Sequence, residues 1–480
     1  MINSEIGKFM SLKYRADIDG LRALAVLAVI FFHAGVPGFS GGFVGVDVFF
    51  VISGFLITSI ILKDIHTGKF SIAKFYERRI RRIFPALFPV IAFTVVVGFF
   101  IFDPGSFKEL GKSIIATTFF SSNILFLREV GYFDADAITK PLLHTWSLAI
   151  EEQFYIFFPL LLIAIHRFSE SRYFQWLLGI GLVSLLTSIY GVYTNQAATF
   201  YLVPTRAWEL LFGSIFALGV IPQLQTTFHR NLFSIVGFSL IILSIWRYSE
   251  ATLFPGAAAL APVLGAGLII YSGIGGGESA ISKLLTLKPL VFIGLISYSL
   301  YLWHWPLIVF IKYLSIKDLT PLEITGIIVS SLTVSTLSWK FIEQPFRLKQ
   351  MLFRERKKLF AISCVVMIAF SGIGGGIYLQ NKERNYNLTS TPEAPTLIGD
   401  RTSAVRFVLW GDSHAGALAP AINTMAIKYG ISGYIFSVGS TLPILGMEHF
   451  NNSSYENTLN RNIFYFINKN KIKAIFLFGW

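Results

Sequence analysis

The sequence is poor in charged residues and has almost no cysteine. Of its 480 residues, 14% are charged and 54% are hydrophobic. Soluble globular domains carry about 25% charged residues, so this composition excludes an ordinary soluble protein and indicates one that lies in lipid. The single cysteine, Cys364, lies in an apolar run. A disulfide within the chain is therefore excluded, and cysteine usage does not identify the compartment.

The N-terminus lacks the features of a cleavable signal peptide. Lys8, Lys13 and Arg15 precede an apolar run, as they would in a signal peptide. However, no small-x-small cleavage site follows the run, and further apolar runs come after it. We therefore predict that this run is the first retained membrane span.

Eleven apolar runs are long enough, or nearly long enough, to cross a membrane as helices. They lie at about 20–35, 43–62, 84–102, 143–165, 175–193, 203–221, 232–247, 253–273, 289–311, 322–341 and 359–379. A further segment, 110–127, contains Lys, Ser, Thr and Asn, and we predict an interfacial or re-entrant helix there. The predicted fold is an all-α polytopic membrane protein with about 11 transmembrane helices, followed by a partial α/β domain.

The net charge of +13 would indicate nucleic-acid binding in a soluble protein. Here the basic residues concentrate between apolar runs, so membrane topology explains them better. With the N-terminus inside, the inner segments hold about 22 Lys and Arg and the outer segments about 8. We predict an inside N-terminus, an outside location for everything after about residue 380, contact with membrane lipid, and no nucleic-acid partner.

The chain changes character after its last apolar run. Residues 381–401 are polar and rich in Asn, Thr, Ser and Pro, which is typical of a linker. Beyond this linker, predicted strands and helices alternate, with strands at 405–410, 432–438 and 473–478 and helices at 415–429 and 462–468. This alternation predicts an α/β domain over 402–480.

Two ionisable residues lie in the first apolar run. Arg22 and His33 are eleven positions apart, so on a helix they share a face and lie about 16 Å apart along its axis. Histidine can take a proton from a hydroxyl near neutral pH, and arginine binds phosphate or carboxylate. Because ionisable groups are costly inside a membrane, the pair indicates chemistry. A carbonyl-bonded histidine with an interfacial arginine is the structural alternative.

Further ionisable residues follow near the next spans. Asp47 begins the second span, where a short turn would bring its carboxylate close to His33 to orient the imidazole; a helix cap is the alternative. Four of the five residues at positions 78–82 are arginines. Such a cluster can hold polyphosphate, or it can mark the inner membrane face beside lipid headgroups.

Two adjacent carboxylates, Glu151 and Glu152, lie in the fourth apolar run. Neighbouring positions do not share a helix face, so we expect at most one of them to face any given cavity. Burial in a membrane favours a functional role for that carboxylate. His304, which precedes Trp-Pro in the ninth run, is interpreted as a packing or hydrogen-bonding residue.

Ser413 follows a predicted strand within Gly411-Asp-Ser-His414. A serine at a strand-to-helix turn presents its hydroxyl beside free backbone N–H groups that can hold an oxyanion. Serine catalysis also needs a histidine held by a carboxylate. No acid-x-x-His pair follows Ser413, so it is a candidate nucleophile whose triad is not completed by later residues.

These motifs together resemble the bacterial membrane acyltransferase family three, the O-acetyltransferases of cell-surface polysaccharides. The resemblance covers about residues 14–345 and rests on the order and spacing of its motifs. They are Ile18-Asp-Gly-Leu-Arg22, His33, Gly45-Val-Asp47, Ser53-Gly-Phe55, Phe75-Tyr-x-Arg-Arg79, Trp146-Ser-Leu148, Glu151-Glu-Gln-Phe-Tyr155 and Tyr298-Ser-Leu-Tyr-Leu-Trp-His-Trp-Pro306.

The resemblance implies an enzyme of the bacterial inner membrane. It is expected to move an acyl group, acetyl in most of the family, from cytoplasmic acetyl-CoA to a glycan outside, such as lipopolysaccharide O-antigen or peptidoglycan. No metal is expected. In the family, the histidine that matches His33 is essential, and the arginines that match Arg22, Arg78 and Arg79 serve donor binding or activity. Asp47 and Glu151 match positions that recur in the family pattern, and we predict catalytic roles for both.

The tail resembles the opening block of an SGNH hydrolase-like domain, with Ser413 at the position of its nucleophile. The final Asp-x-x-His of that pattern does not occur before Trp480, so we expect a fragment or a truncated gene. The predicted domains are a membrane acyltransferase domain over 1–345, a basic inner loop and last transmembrane helix over 346–380, the linker over 381–401, and a truncated SGNH-like domain over 402–480.

Two other functions fit parts of the pattern. A transporter of a lipid-linked glycan or an acyl carrier, without transfer chemistry, would also need buried charges and many spans. An exported SGNH esterase on a membrane anchor would need a single span and a complete triad, and the sequence predicts neither.

Overall fold

The computed structural model describes residues 14–102, 104–129, 139–169, 172–315, 319–347, 355–384, 396–411, 413–437 and 453–478. The chain divides into a first unit of residues 1–102 and 109–378 and a second unit of residues 103–108 and 379–480. Most described residues of the first unit are helical. The second unit contains a four-stranded sheet.

The helices up to residue 384 run in chain order as follows. They are α1 (Ala16–His33), α2 (Gly45–His66), α3 (Ile72–Ile101), α4 (Pro104–Thr118), α5 (Ser122–Glu129), α6 (Thr145–Phe168), α7 (Tyr173–Thr194), α8 (Gln196–Tyr201), α9 (Val203–Ala217), α10 (Thr227–Arg247), α11 (Leu260–Ser272), α12 (Ala280–Leu285), α13 (Lys288–Leu314), α14 (Pro321–Ser338), α15 (Gln344–Arg347) and α16 (Arg356–Arg384). Short 3₁₀ turns precede α2 and α11, and a π-helical turn joins α14 to α15.

Each of the eleven apolar runs coincides with one of these helices, which confirms the predicted all-α membrane architecture. Eight of the described helices are long and apolar enough to cross a membrane. The other three runs are α1, which carries Asp17, Asp19 and Arg22 in its first half, and the shorter helices α9 and α11. The segment 110–127 falls in α4 and α5, which are separated by a break at Phe119–Ser121.

Local sequence signals place the helix ends. α14 begins with a capping box, in which the Thr320 hydroxyl accepts from the Glu323 backbone N–H and the Glu323 carboxylate accepts from the Thr320 N–H. Pro321 occupies the first helical position, where its missing N–H costs nothing. In α1, Asp17 and Asp19 lie in the first turn, where negative charge complements the helix dipole.

The surface of the helical unit is strongly apolar. Phe99, Phe100, Phe157 and Tyr190 all expose more than half of their surface, and Phe100 exposes 80%. A soluble protein rarely exposes so many large apolar side chains together. Lipid chains are the environment in which this surface is stable.

Helices α2 and α9 pack with their backbones in close approach at two glycines. A Cβ atom on Gly54 would overlap the carbonyl oxygen of Leu210, and one on Gly213 would overlap that of Val51. Small residues at such positions let membrane helices come together by van der Waals contact. The two glycines therefore determine how closely α2 and α9 can pack.

The second unit is an α/β structure, as the alternation of strands and helices predicts. Its strands β1 (Thr396–Gly399), β2 (Val405–Gly411), β3 (Ser432–Ser437) and β4 (Ala474–Phe478) lie in the order β1-β3-β2-β4, with β2 parallel to β3 and β4 and with β1 antiparallel to β3. β1 lies within the range interpreted as a linker. Its short sequence carries no alternation long enough to predict a strand.

Successive residues of β2 bury against opposite faces of this sheet. Phe407 and Leu409 pack in the cluster beneath α17 (Ser413–Lys428). Val408 and Trp410 pack in the cluster beneath α18 (Ser453–Lys469). Because both faces are covered, residues 407–410 of β2 form a continuous apolar run.

We expect Gly213→Ala to destabilise the helical unit. The added methyl group must displace the α2 backbone at Val51, and overpacking of this kind costs about 1 to 3 kcal/mol. The measurement is the thermal unfolding midpoint of the purified protein in detergent. The control is Gly326→Ala in α14, where a Cβ meets nothing within 4 Å. Equal unfolding midpoints for the two variants would contradict the close approach.

Candidate active site

A cavity of about 150 Å³ lies within the helical unit among α1, α2, α3, α6 and α13. Its wall combines three arginines, two glutamates, three tyrosines and three serines with aliphatic and phenylalanine side chains. The polar lining residues are Arg22, Ser53, Arg79, Arg82, Ser147, Glu151, Glu152, Tyr155, Ser297, Tyr298 and Tyr301. A charged cavity inside a membrane bundle marks a site for a polar or ionic ligand.

The basic side of the cavity is formed by Arg22, Arg79 and Arg82. The Arg22 guanidinium lies 3.1 Å from the Asp19 carboxylate. The Arg79 guanidinium lies over the ring of Tyr155, 5.6 Å from its centroid. Three arginines at one cavity can hold an anionic group such as a phosphate through charge-assisted hydrogen bonds.

Unlike Arg79, Arg78 does not line the cavity. Its guanidinium lies 2.7 Å from the Asp64 carboxylate on α2. Among the described residues, Arg82 rather than Arg78 lines the cavity beside Arg79. Positions 79 and 82 are three apart on a helix and face the same way, whereas adjacent positions diverge by about 100°.

The acidic side of the cavity contains both Glu151 and Glu152. Ser53 donates to Glu151 Oε1 at 2.8 Å, and the Tyr155 hydroxyl donates to Oε2 at 3.4 Å. The expectation that only one of the two glutamates faces any given cavity is therefore wrong. The reason is geometric, since the cavity is bounded by five helices and is wide enough for two diverging side chains of α6 to reach it.

His33 lies at the opposite end of α1 from Arg22 and is buried against α13. Its Nδ1 lies 3.0 Å from Nε2 of His304, and the two ring planes are within 7° of parallel with centroids 5.2 Å apart. The ring of Trp305 packs edge-on at 4.5 Å, and Lys312 donates to the backbone carbonyl of His33 at 3.2 Å. These partners all belong to α13, the ninth apolar run.

The histidine pair adjoins the cavity through Tyr301. The ring of Tyr301 lies 5.5 Å from that of His304, and Tyr301 also lines the cavity. Its hydroxyl forms a hydrogen bond with the Ser147 hydroxyl at 2.6 Å and donates to the backbone carbonyl of His144 at 3.0 Å. One turn of α13 thus places Tyr301 at the cavity and His304 against His33.

Asp47 does not contact the His33 imidazole, although the short turn between the first two spans led us to expect this contact. Its carboxylate lies 3.1 Å from the guanidinium of Arg206, which also lies 2.9 Å from the Glu209 carboxylate. All three side chains are at most 1% exposed. The guanidinium of Arg206 is enclosed by aromatic rings with centroids 5.5 to 5.7 Å away, those of Phe50, Trp146, Phe200 and Phe254.

Sequence reasoning missed Arg206 and Glu209. The available signal is a pair of opposite charges three positions apart in the sixth apolar run, which places them on one face of a helix. Trp146, a residue of the family pattern, packs against Arg206 in this cluster. Asp47 and Trp146 therefore both pack around Arg206, in a cluster that does not include His33.

Ser413 is the first residue of α17 and lies two positions after Gly411, the last residue of β2, as the strand-to-helix interpretation of this motif requires. The side chain of Ser413 and the whole of Asp412 lie outside the described residues. Across the described ranges, no group of three or more His, Cys, Asp or Glu side chains is arranged to hold a metal ion.

Two models of known protein families match separate parts of the chain. Residues 15–340 match a family model described as an acyltransferase domain. Residues 381–480 match a model described as an SGNH domain fused to AT3 domains. The SGNH match thus begins within the segment interpreted as a linker.

Curated relatives are similar over most of this chain. The O-acetyltransferase OatA of Staphylococcus aureus is 35% identical over 371 residues, which cover 71% of this chain and 58% of the relative. The peptidoglycan O-acetyltransferase OatA of Listeria monocytogenes is 35% identical over 356 residues, or 70% of this chain and 56% of the relative. This chain thus spans less than two thirds of their length. No solved structure matches. The chain belongs to the acyltransferase domain family matched over residues 15–340, as a multi-pass bacterial membrane protein with an SGNH domain.

Proposed function

We propose that this protein is a membrane O-acetyltransferase that moves an acetyl group from cytoplasmic acetyl-CoA to a hydroxyl of a glycan on the outer side of the membrane. The single observation that carries the proposal is the charged cavity inside the helical unit of a chain that belongs to an acyltransferase family. Such a cavity gives a charged donor a place within the membrane.

The donor site of this proposal is the basic wall formed by Arg22, Arg79 and Arg82. Guanidinium groups bind phosphate oxygens in bidentate fashion, so these side chains suit the phosphates of a nucleotide-containing thioester. The count of Lys and Arg between spans supports an inside location for the end of α3 that carries Arg79 and Arg82. Acetyl-CoA then enters from the cytoplasm.

The chemical step of this proposal uses His33 as general base, with Glu151 at the cavity and Asp47 in the Arg206 cluster as supporting residues. His33 takes the proton of the acceptor hydroxyl, and the oxygen attacks the thioester carbonyl. For the acceptor, the name of the Listeria monocytogenes relative supports peptidoglycan. A lipopolysaccharide O-antigen is the other acceptor class, and acetate measured in each glycan fraction tells the two apart.

Ser413 enters this proposal as the residue that would carry the acyl group in a relayed transfer, a route that also requires the histidine and carboxylate of a complete SGNH triad. We expect this route to be inactive without them. The SGNH match supports this role of Ser413. The Ser413→Ala variant separates the two routes, since relayed transfer requires the hydroxyl and direct transfer does not.

We expect His33→Ala to abolish glycan acetylation. Loss of a general base typically costs about 10²- to 10⁴-fold in rate. The measurement is ester-linked acetate released by mild base from the cell wall of a strain that lacks its own O-acetyltransferase and expresses the variant. The control is His229→Ala at an exposed position of α10. Normal acetate in the His33→Ala strain would refute the role of His33.

The same variant separates transfer from transport. Purified protein in lipid nanodiscs is given acetyl-CoA and a soluble glycan fragment, and the free thiol of CoA is measured. A transferase releases thiol in step with ester formation, and His33→Ala stops both. A transporter releases no thiol, and this outcome would refute the proposed function.

We expect Arg79→Ala to raise KM for acetyl-CoA by roughly 10- to 100-fold, since a hydrogen bond to a charged group contributes about 1.5–3 kcal/mol. The matched comparison is Arg78→Ala, which removes the neighbouring guanidinium that pairs with Asp64 instead. KM from initial rates of thiol release in nanodiscs is the measurement. An equal or larger rise in KM for Arg78→Ala would contradict this donor site.

A further inference from the structure

We propose that His304 is a positioning residue that holds the catalytic ring of His33 in one tautomer, with the proton on Nδ1 and the basic lone pair on Nε2. This inference rests on the proposed function and adds a specific role for a residue of α13. The two histidines come from positions 271 residues apart in the chain. Only the fold brings them together.

The contact between the rings is short and protected. His33 Nδ1 and His304 Nε2 are 3.0 Å apart, which is the ordinary distance for an N–H donor and its acceptor. Both rings are buried, His33 at 8% exposure and His304 at 0%. A hydrogen bond between neutral rings avoids placing an uncompensated charge at this depth.

A second hydrogen bond decides which nitrogen donates. His304 Nδ1 lies 3.2 Å from the backbone carbonyl oxygen of Leu300, one helical turn earlier. A carbonyl oxygen can only accept, so Nδ1 of His304 carries the proton, and its Nε2 has the lone pair in the neutral ring. His33 Nδ1 must then donate to that lone pair. The remaining lone pair of His33 is on Nε2, which becomes its basic atom.

This tautomer is the one that the proposed reaction needs. The acceptor O–H bond breaks as its proton passes to His33 Nε2, and the acceptor oxygen forms a bond to the thioester carbonyl carbon. The C–S bond then breaks, and the thiolate takes the proton from Nε2 to leave as a thiol. Throughout the cycle His33 keeps the Nδ1–H bond to His304, which stabilises the transient positive ring.

Neighbouring side chains hold both rings in place. The edge-on contact of Trp305 with His33, at 4.5 Å and 60°, restricts rotation of the imidazole. Tyr301 packs on the other partner, with ring centroids 5.5 Å apart, and is itself tied to Ser147 and to the His144 carbonyl. His304 thus forms part of a rigid support whose groups come from α6 and α13.

The direct test is nitrogen-15 solid-state NMR of the full chain in lipid, with labelled histidines. Resonances that vanish in a His33→Ala sample belong to His33, and the bonded-proton signature of each nitrogen identifies the tautomer. We expect a protonated Nδ1 and an unprotonated Nε2 in the wild-type protein. A proton on Nε2 with a bare Nδ1 would overturn the inference, even if His33 proved essential for acetylation.

A kinetic test compares two replacements of His304. Phenylalanine keeps a ring but removes the acceptor, and we expect kcat to fall about 10- to 100-fold with little change in KM, as when a ring-orienting partner of a histidine is lost. Glutamine can place its amide oxygen near the position of Nε2, so His304→Gln should recover much of kcat. A merely structural role would instead lower the unfolding midpoint and show no preference for glutamine.

A matched control is His166→Phe, which removes a histidine that is hydrogen-bonded to Tyr173 at the far end of α6. It should leave kcat and the His33 tautomer unchanged. Wild-type kcat in His304→Phe would overturn the inference. If His33→Ala still abolished activity in that case, the proposed function would stand, but without a role for His304.

Discussion

Charged groups inside the helical unit are stable only where an opposite charge, a hydrogen bond or a cavity meets them, because lipid cannot solvate them. Arg206 is the strictest case, since it is fully buried between Asp47 and Glu209 and walled by aromatic rings. Removing one partner of a buried ion pair costs about 3–5 kcal/mol, because the other charge remains without compensation. Loss of Asp47 would therefore weaken the contact between α2 and α9.

Helix α2 transmits this constraint to the cavity. Asp47 near its start binds Arg206, Gly54 packs against α9, and Ser53 donates to Glu151 in the cavity wall. A shift of α2 relative to α9 would therefore also move Ser53 away from Glu151. The position of the cavity wall therefore depends on two charged residues, Asp47 and Arg206, that do not themselves line the cavity.

The length and spacing of apolar runs were sufficient to predict a helix at each of the eleven runs, because a membrane span needs about 20 apolar residues whatever its neighbours are. Partners distant in the sequence were not predictable, since such runs do not say which helices are adjacent. His33 with His304 and Asp47 with Arg206 are both pairs of this kind. The sequence was sufficient to predict that Arg82, rather than Arg78, lines the cavity beside Arg79, because helix geometry alone places positions 79 and 82 on the same side of a helix.

The distance between Arg22 and His33 along α1 bears on the kind of donor that the site can bind. Eleven residues of α1 place them about 16 Å apart along one helix, with Arg22 at the charged cavity and His33 at the histidine pair. A donor whose phosphates and reactive carbonyl are at opposite ends of an extended arm matches that spacing, because each end meets the group suited to it. A compact anion could occupy the arginines but could not reach His33. Under the proposed function, the geometry of α1 therefore suits a long thioester better than a small charged solute.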